Sequence, residues 1–188
     1  MIADHDRSGY FGASDTEKVI AKNIRTKTWE QWWQEKPGIR RNNVTTPAMA
    51  AGTNWEHKIL EALNVPGMVL DRQILLPEYL LRVNLDGDNG QCIYECKTHA
   101  ADKPWKAVPK SYIRQVQVQM FASGIRKAYI VEYPLVEAEY NNFLLPVDPS
   151  RIKLHPVEYD HHFIQGEYLP RLAILAKDLK EGRYPIGI

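Results

Sequence analysis

The sequence predicts an α/β (α+β) fold in which one central mixed β-sheet is flanked by helices. Apolar runs of strand length alternate with segments of helical periodicity, in the order helix, helix, several strands, helix, strand, strands, helix. Turn signals separate these runs, the clearest being Asp88-Asn89-Gly90 between two alternating apolar segments. The length of 188 residues suits one core, so we expect a single domain over residues 1–188.

Capping signals predict the helices that precede the sheet. Ser14 is expected to cap a first helix, with Glu17 in the capping-box position. Thr46-Pro47 predicts the start of another helix that runs to about Leu63. Between them lies a helical stretch with three tryptophans, which favour packing on the core over base stacking. They are Trp29, Trp32 and Trp33.

The remaining segments predict strands and two further helices. A helix over about 108–124 ends at Gly124, a residue type common after a helix C-terminus. The last helix spans about 160–181, where leucines recur at helical spacing. We expect strands at residues 68–70, 74–76, 80–86, 91–97 and 128–132, and weaker ones at 143–147 and 152–157.

Composition and charge are those of an ordinary globular protein, with 44% hydrophobic and 25% charged residues and a net charge of +1. Bulk charge therefore does not indicate a nucleic-acid partner. No apolar run reaches the roughly 20 residues of a membrane span, and the N-terminus lacks the apolar core of a signal peptide. The two cysteines, Cys92 and Cys96, are expected to be free thiols on one strand face. We expect a cytoplasmic protein.

The segment from Asp86 to Lys97 carries the most chemical information. Asp86 ends one predicted strand, while Glu95 and Lys97 lie two residues apart on the next and so face the same side. A hairpin would bring Asp86 close to Glu95, giving converging carboxylates that suit Mg²⁺ or Mn²⁺. A lysine on that face can orient an attacking water. This equipment suits phosphodiester hydrolysis, and the Cys96 carbonyl could add a ligand.

This pattern alone has weak specificity, and two plainer interpretations exist. One is a surface hairpin with a solvated Glu–Lys pair. The other is a calcium loop, because Asp86-Gly87-Asp88 resembles the start of an EF-hand. An EF-hand loop needs an oxygen ligand at its fifth position and glycine at its sixth, where this sequence has Gly90 and Gln91.

Neighbouring segments raise the specificity of the metal site. Glu56 lies beside the apolar stripe of the helix before the strands. Three glutamines alternate on the helix after them: Gln115, Gln117 and Gln119. On a helix, Gln115 and Gln119 share a face while Gln117 points elsewhere. A glutamine amide can donate to a phosphate or a water and accept from a lysine.

Four linked motifs occur in one order along most of the chain. They are Arg7 to Asp15 (similar to R-x-G-x-I-T-A-S-[DE]), Gly52 to Glu56 (similar to G-x-x-x-E), Asp86-Gly87 with Glu95-Cys96-Lys97, and Tyr112 to Gln117 (similar to Y-x-x-Q-V-Q). In these motifs the sequence resembles the phage lambda exonuclease family, or YqaJ-type viral recombinases, of the PD-(D/E)XK superfamily. It departs from the family at Gly12, where threonine is usual, and at Thr98-His99, where Cys-Pro is usual.

The resemblance implies a PD-(D/E)XK restriction-endonuclease-like core and a role for each matching residue. Asp86, Glu95 and the Cys96 carbonyl would bind metal, two Mg²⁺ ions for which Mn²⁺ can substitute, and Glu56 would help hold the second. Lys97 would position or activate the water, supported by Gln115. A further set would bind the DNA and its 5′-phosphate: Arg7, Ser14 and Gln117.

The resemblance also implies an activity and partners. Family members degrade one strand of linear double-stranded DNA in the 5′→3′ direction, leaving a 3′ single strand for a single-strand annealing protein in recombination. They form toroidal homotrimers around DNA. Basic residues that could contact the DNA backbone, or could be ordinary solvated surface, are Arg40, Arg41, Lys103, Lys106, Lys110 and Arg114.

Two other functions stay open from the sequence. One is a structure-specific endonuclease of the same superfamily, and the other is a non-catalytic DNA-end-binding protein. The converging carboxylates argue against a mere binder, which has no need of them beside DNA phosphates. Among the six histidines, His161-His162 fit no zinc spacing, and His99 is close enough to the motif to contact DNA.

Overall fold

The computed structural model describes residues 8–41 and 45–186, so Arg7 lies outside the described residues. One five-stranded sheet has its strands in sequence order. The β3–β4 pair is parallel and the other neighbouring pairs are antiparallel. The strands are β1 (Val69–Leu76), β2 (Leu81–Asp88), β3 (Ile93–Ala100), β4 (Lys127–Leu135) and β5 (Lys153–Glu158). The helices are α1 (Thr16–Val19), α2 (Lys27–Glu35), α3 (Pro47–Ala62), α4 (Lys110–Ser123) and α5 (Leu169–Lys180).

Local signals for α3 and α4 are confirmed. Thr46 caps α3 by accepting the Met49 N–H at 3.2 Å, with Pro47 in the first turn. Gly124 ends α4 in the left-handed region at φ 77°, where glycine meets no Cβ penalty. The parallel β3–β4 pair needs a crossover, and α4 provides it.

The tryptophans of α2 pack in the core, as the spacing predicts. All three are buried, and the Trp29 and Trp33 rings stack with centroids 5.7 Å apart. The Trp32 indole N–H donates to Asp15 at 2.7 Å, so its polar edge is satisfied inside the core.

Three expected features of secondary structure are wrong. The separate strands expected at 68–70 and 74–76 are one continuous strand, β1. Ser14 is not an N-cap: it lies within a 3₁₀ helix (Ala13–Asp15), and the Asp15 carboxylate instead accepts the free N–H of Gly12 at 2.8 Å. Residues 143–147 form no strand. The carbonyls of Phe143 and Leu145, which a strand would pair with a neighbour, accept hydrogen bonds from the Lys58 ammonium instead.

The sheet separates two hydrophobic clusters. One cluster contains buried residues of α2, α4 and α5, and the other contains α3. Along β3 the side chains alternate, so Ile93 joins the first cluster while Tyr94 and Cys96 join the second. Cys92 lies in the same cluster as Cys96, and both are free thiols. Within residues 8–41 and 45–186, no helix has the length and apolarity needed to cross a membrane.

Candidate metal centre

Glu95 lies at the middle of the site, on the face of β3 that α4 covers. It is only 1% exposed and accepts hydrogen bonds from three side chains. Lys97 donates to Oε1 at 2.5 Å, Gln115 donates to the same oxygen, and Gln119 donates to Oε2 at 2.6 Å. An ionised carboxylate offers about four lone-pair positions, so one is left for a further ligand.

Asp86 reaches Glu95 because β2 and β3 separate after two residue pairs, Gly87↔Tyr94 and Asp88↔Ile93. In the gap, Asp86 Oδ2 accepts the backbone N–H of Cys96 at 2.9 Å. Gly87 lies beside it in close packing, since a Cβ there would lie 2.8 Å from Met68 Sδ and would displace the Met68 side chain. The expected convergence of Asp86 and Glu95 is therefore present, and it arises from strand divergence as well as from the hairpin.

Glu56 approaches the same carboxylates from α3. That helix packs closely on β3 at Gly52, where a Cβ would lie 3.2 Å from Thr98 Oγ1. Glu56 is one helical turn further along, on the same side of α3. Burial and repulsion from Glu95 raise the pKa of Glu56 to about 7.

The carboxyl groups of Asp86, Glu95 and Glu56 lie close enough together to affect one another's charge. Burial and the charges of Glu95 and Glu56 raise the pKa of Asp86 well above its ordinary value. Burial alone would lower the pKa of Lys97, but Glu95 and Asp86 raise it above its ordinary value. Lys97 is therefore an ammonium at neutral pH, and within the described parts of the chain this one ammonium faces three carboxyl groups. A divalent cation with oxygen ligands would relieve the remaining repulsion, so this donor set fits Mg²⁺ or Mn²⁺.

A second observation also fits an incoming polar group. The Oε1 atom of Gln119 is buried and has no hydrogen-bond partner within the described parts of the chain. Its Nε2 atom bridges the gap between the strands, donating to Glu95 and to the Asn84 carbonyl at 3.1 Å. A water bound at the centre would supply the missing donor.

His57 and Asp71 extend the centre on its outer side. Ligand atoms of Glu56, His57 and Asp71 lie within 4.8 Å of one another, and His57 Nε2 is 3.1 Å from Asp71 Oδ2. Asp71 lies opposite Asp86 in the β1–β2 register and has a left-handed backbone at φ 56°. Neither residue belongs to a motif of the sequence. The position of His57 next to Glu56 could have indicated that it lies near the centre, whereas no sequence pattern indicated this for Asp71.

The glutamines of α4 divide between two roles. Gln115 and Gln119 contact Glu95, on the shared helix face that their spacing predicts. Gln119 was not among the expected site residues. Gln117 points away, accepting the Asp160 N–H at 2.7 Å and donating to the Glu158 carbonyl at 2.8 Å. Its expected contact with DNA stays a prediction, and so does the Cys96 carbonyl as a metal ligand.

The N-terminal motif is anchored from inside. Ser14 is exposed, while the adjacent Asp15 carboxylate binds the buried Lys36 ammonium at 2.5 Å. This arrangement fixes the segment that presents Ser14. Among the basic residues considered for DNA contact, Arg114 pairs with Glu17 at 3.1 Å, while Lys103 and Lys106 are exposed.

Comparison with known proteins identifies a family. The model of the YqaJ-like viral recombinase domain matches residues 4–126, which is more than half of the chain. No curated protein sequence matches the chain significantly.

Solved exonuclease structures share the fold. The chain is similar to an alkaline exonuclease (LHK-Exo) from Laribacter hongkongensis, with 20% identity and a TM-score of 0.65 over 94% of this chain and 90% of that one. A structure of LHK-Exo in complex with dAMP matches at 21% identity and a TM-score of 0.64, over 93% and 92% of the two chains. A phage-related exonuclease from Haemophilus somnus 129PT matches at 14% identity and a TM-score of 0.65, over 92% and 96%. These likenesses confirm the predicted mixed sheet flanked by helices.

Proposed function

Because the chain belongs to the YqaJ-like viral recombinase domain family, we propose that it is a Mg²⁺-dependent 5′→3′ exonuclease that degrades one strand of linear double-stranded DNA. The observation that carries the proposal is the convergence of Asp86, Glu95 and Lys97, with Gln115 and Gln119 bonded to Glu95. Three carboxyl groups and one ammonium in a buried site suit phosphodiester hydrolysis. The dAMP in the matched LHK-Exo complex is of the chemical class that an exonuclease releases.

Asp86, Glu95, Glu56 and the Cys96 carbonyl would hold the metal. Two ions, with Mn²⁺ able to replace Mg²⁺, belong to the proposal. A bound ion supplies charge stabilisation at the scissile phosphate and lowers the pKa of a bound water. The N–H of Cys96 fixes one Asp86 oxygen, leaving the other carboxylate oxygen for a ligand.

Lys97 and the glutamines set the geometry around Glu95. Lys97 already donates to Glu95, and from this position its ammonium would position or activate an attacking water. Gln115 and Lys97 share one oxygen of Glu95, so they restrain that carboxylate together. Restrained ligands preserve the site geometry on which catalysis depends.

In this proposal, a site that binds the 5′-phosphate of the DNA sets the direction of degradation. That site is formed by Arg7, Ser14 and Gln117. Arginine offers bidentate contact to phosphate, and Ser14 is exposed at a helical segment held by Asp15 and Lys36. The proposal also includes a homotrimeric ring and a single-strand annealing protein that receives the 3′ overhang. The family resemblance supports both, and light scattering after gel filtration tests the ring.

Digestion of end-labelled DNA tests the proposed function. Linear duplex labelled at either the 5′ or the 3′ end is incubated with Mg²⁺ beside covalently closed circular duplex. We expect early release of the 5′ label, little early release of the 3′ label, and intact circles. Cleavage of closed circles would favour an endonuclease, and early loss of the 3′ label would reverse the polarity. DNA binding without any hydrolysis would favour an end-binding protein.

Lys97→Ala provides the matched control for contaminating nuclease. We expect this variant to fold and to lose hydrolysis, because the substitution removes the only ammonium that contacts Glu95 within the described residues. Full activity in Lys97→Ala would remove Lys97 from the catalytic centre.

A further inference from the structure

A second polar cluster lies beside the metal centre and is built around Glu132 of β4. Glu132 is 2% exposed, and each of its oxygens contacts a histidine. His99 Nε2 lies 2.9 Å from Oε1, and His155 Nε2 lies 2.6 Å from Oε2. Lys153 Nζ lies 3.5 Å from Oε1. We call these four residues the Glu132 cluster.

Both ring nitrogens of His99 face oxygen atoms of the protein. Its Nδ1 atom lies 2.9 Å from the Ala100 carbonyl, and its Nε2 atom faces Glu132. Both partners are acceptor groups, so the two contacts together fix the orientation of the His99 ring. Burial alone would raise the pKa of Glu132, but bonds from His99 and His155 lower it, so this partner is ionised.

The two outer residues of the cluster, Lys153 and His155, can each form a further contact with a ligand. The Lys153 side chain is 58% exposed, and its 3.5 Å separation from an already paired carboxylate adds little stability. The His155 side chain is 33% exposed, and its Nδ1 atom has no hydrogen-bond partner within residues 8–41 and 45–186. An acceptor beside Nδ1 would give His155 the same two-acceptor arrangement that His99 has.

The cluster is continuous with the metal centre. Lys97, Glu132 and Lys153 form one row across β3, β4 and β5. Neighbouring strands lie about 4.8 Å apart, so Lys153 is roughly 10 Å from Lys97 along this row.

Aromatic rings fill the space between the two sites. The Lys97 ammonium lies 5.3 Å from the centre of the Tyr112 ring. The ring centroids of Tyr112 and Trp105 are 5.5 Å apart. The Trp105 centroid is 4.9 Å from that of His99 and 6.2 Å from that of His155. The rings hold the histidines in place, so the cluster keeps a fixed position relative to Lys97.

We propose that Lys153 and His155 form a phosphate-binding subsite for the DNA strand, within about three nucleotides of the scissile bond. His99 and Glu132 lie behind them as positioning residues. The occupant is anionic, because the exposed side chains of the cluster are a lysine and a histidine, whereas its one carboxylate is buried behind them. It is a DNA phosphate, because the row joins the cluster to the centre that cleaves one. The inference rests on the proposed function.

Charge-neutralising substitution of Lys153 tests the subsite directly. Binding of fluorescent 5′-phosphorylated duplex is measured by anisotropy in EDTA, so that no hydrolysis occurs, over a range of salt concentrations. We expect Lys153→Gln to weaken binding about 3- to 10-fold at low salt and to reduce the slope of log K against log salt by about 1. His155→Gln should also weaken binding, while Lys153→Arg should restore it.

Lys127→Gln is the matched control. Lys127 is an exposed lysine of the same strand as Glu132, about 16 Å away at its other end. We expect this variant to bind like the unmodified protein. Melting temperatures of all variants are compared, since a merely structural role would lower stability and leave the salt slope unchanged.

Two results would overturn the inference. If Lys153→Gln and Lys127→Gln have the same affinity and slope as the unmodified protein, the subsite does not exist. If the unmodified protein nevertheless hydrolyses linear duplex, only the subsite is refuted and the nuclease proposal stays intact. If the unmodified protein neither binds nor hydrolyses DNA, both proposals fail.

Discussion

Replacing Gln119 with leucine removes two hydrogen bonds that cross the gap between β2 and β3. The bond to the Asn84 carbonyl is neutral and contributes about 1 kcal/mol, while the bond to the Glu95 carboxylate is charge-assisted and contributes about 1.5–3 kcal/mol. Leucine also leaves the Oε2 atom of Glu95 without its donor, so that the carboxylate is held only through Oε1 by Lys97 and Gln115. Because Glu95 is a proposed ligand, we expect Mg²⁺ affinity or activity to fall roughly 10- to 100-fold.

The assay separates this effect from simple loss of stability. Initial rates on linear duplex are measured over a Mg²⁺ titration, with urea unfolding of each variant alongside. Val118→Ala is the control, because Val118 is a fully buried neighbour on α4 that packs in the core. We expect a stability loss of roughly 1–3 kcal/mol in the control with unchanged Mg²⁺ dependence. A Gln119→Leu variant with unmodified rate and Mg²⁺ dependence would refute the positioning role.

Three further predictions concern stability and metal binding. Asp15→Ala should lower the free energy of unfolding by about 3–5 kcal/mol, because it leaves the buried Lys36 ammonium unpaired; a loss under about 1 kcal/mol in urea unfolding would contradict this. Burial alone would raise the pKa of Glu139, but bonds from Arg151 lower it. Its stabilising contribution is therefore present above the unfolded pKa of about 4.3 and is lost as pH falls. The stability difference between the unmodified protein and Glu139→Gln should narrow as pH falls from about 7 to about 3, and a constant difference would exclude this linkage. Finally, Mg²⁺ should raise the melting temperature of the unmodified protein but not that of Asp86→Asn, since only the carboxylate offers an anionic ligand; an equal rise in both would remove Asp86 from the ligand set.

The approach of Asp86 to Glu95 could be predicted because the geometry of the hairpin that joins them is local. Glu95 and Lys97 are two residues apart on one strand, so their side chains lie on the same face of the sheet. A short turn brings this strand back beside Asp86. The rest of the site depends on packing that no local pattern encodes. Asp71 comes opposite Asp86 through the β1–β2 register, and Glu132 meets His155 through the pairing of β4 with β5.

For the glutamines of α4, the helical period was predicted correctly but did not identify which of them contact Glu95. The spacing placed Gln115 and Gln119 on one face of α4 and Gln117 on another, which the contacts confirm. Periodicity does not say which face meets the sheet, and that orientation decides which amides touch Glu95. Buried apolar neighbours on the same helix settle it, since Val116 and Met120 pack in the core with the sheet.

Strand divergence explains why a weak sequence pattern becomes a site. In a regular ladder, the N–H of Cys96 would bond to a backbone carbonyl of β2, and Asp86 would stay on its own strand. Because β2 and β3 pair through only two residue pairs, the Asp86 carboxylate takes that N–H instead. Gln119 closes the same gap from α4 by bonding to both strands. A solvated Glu–Lys pair on an ordinary hairpin has neither feature, which is why the buried Glu95 and its three donors favour metal chemistry over that plainer interpretation.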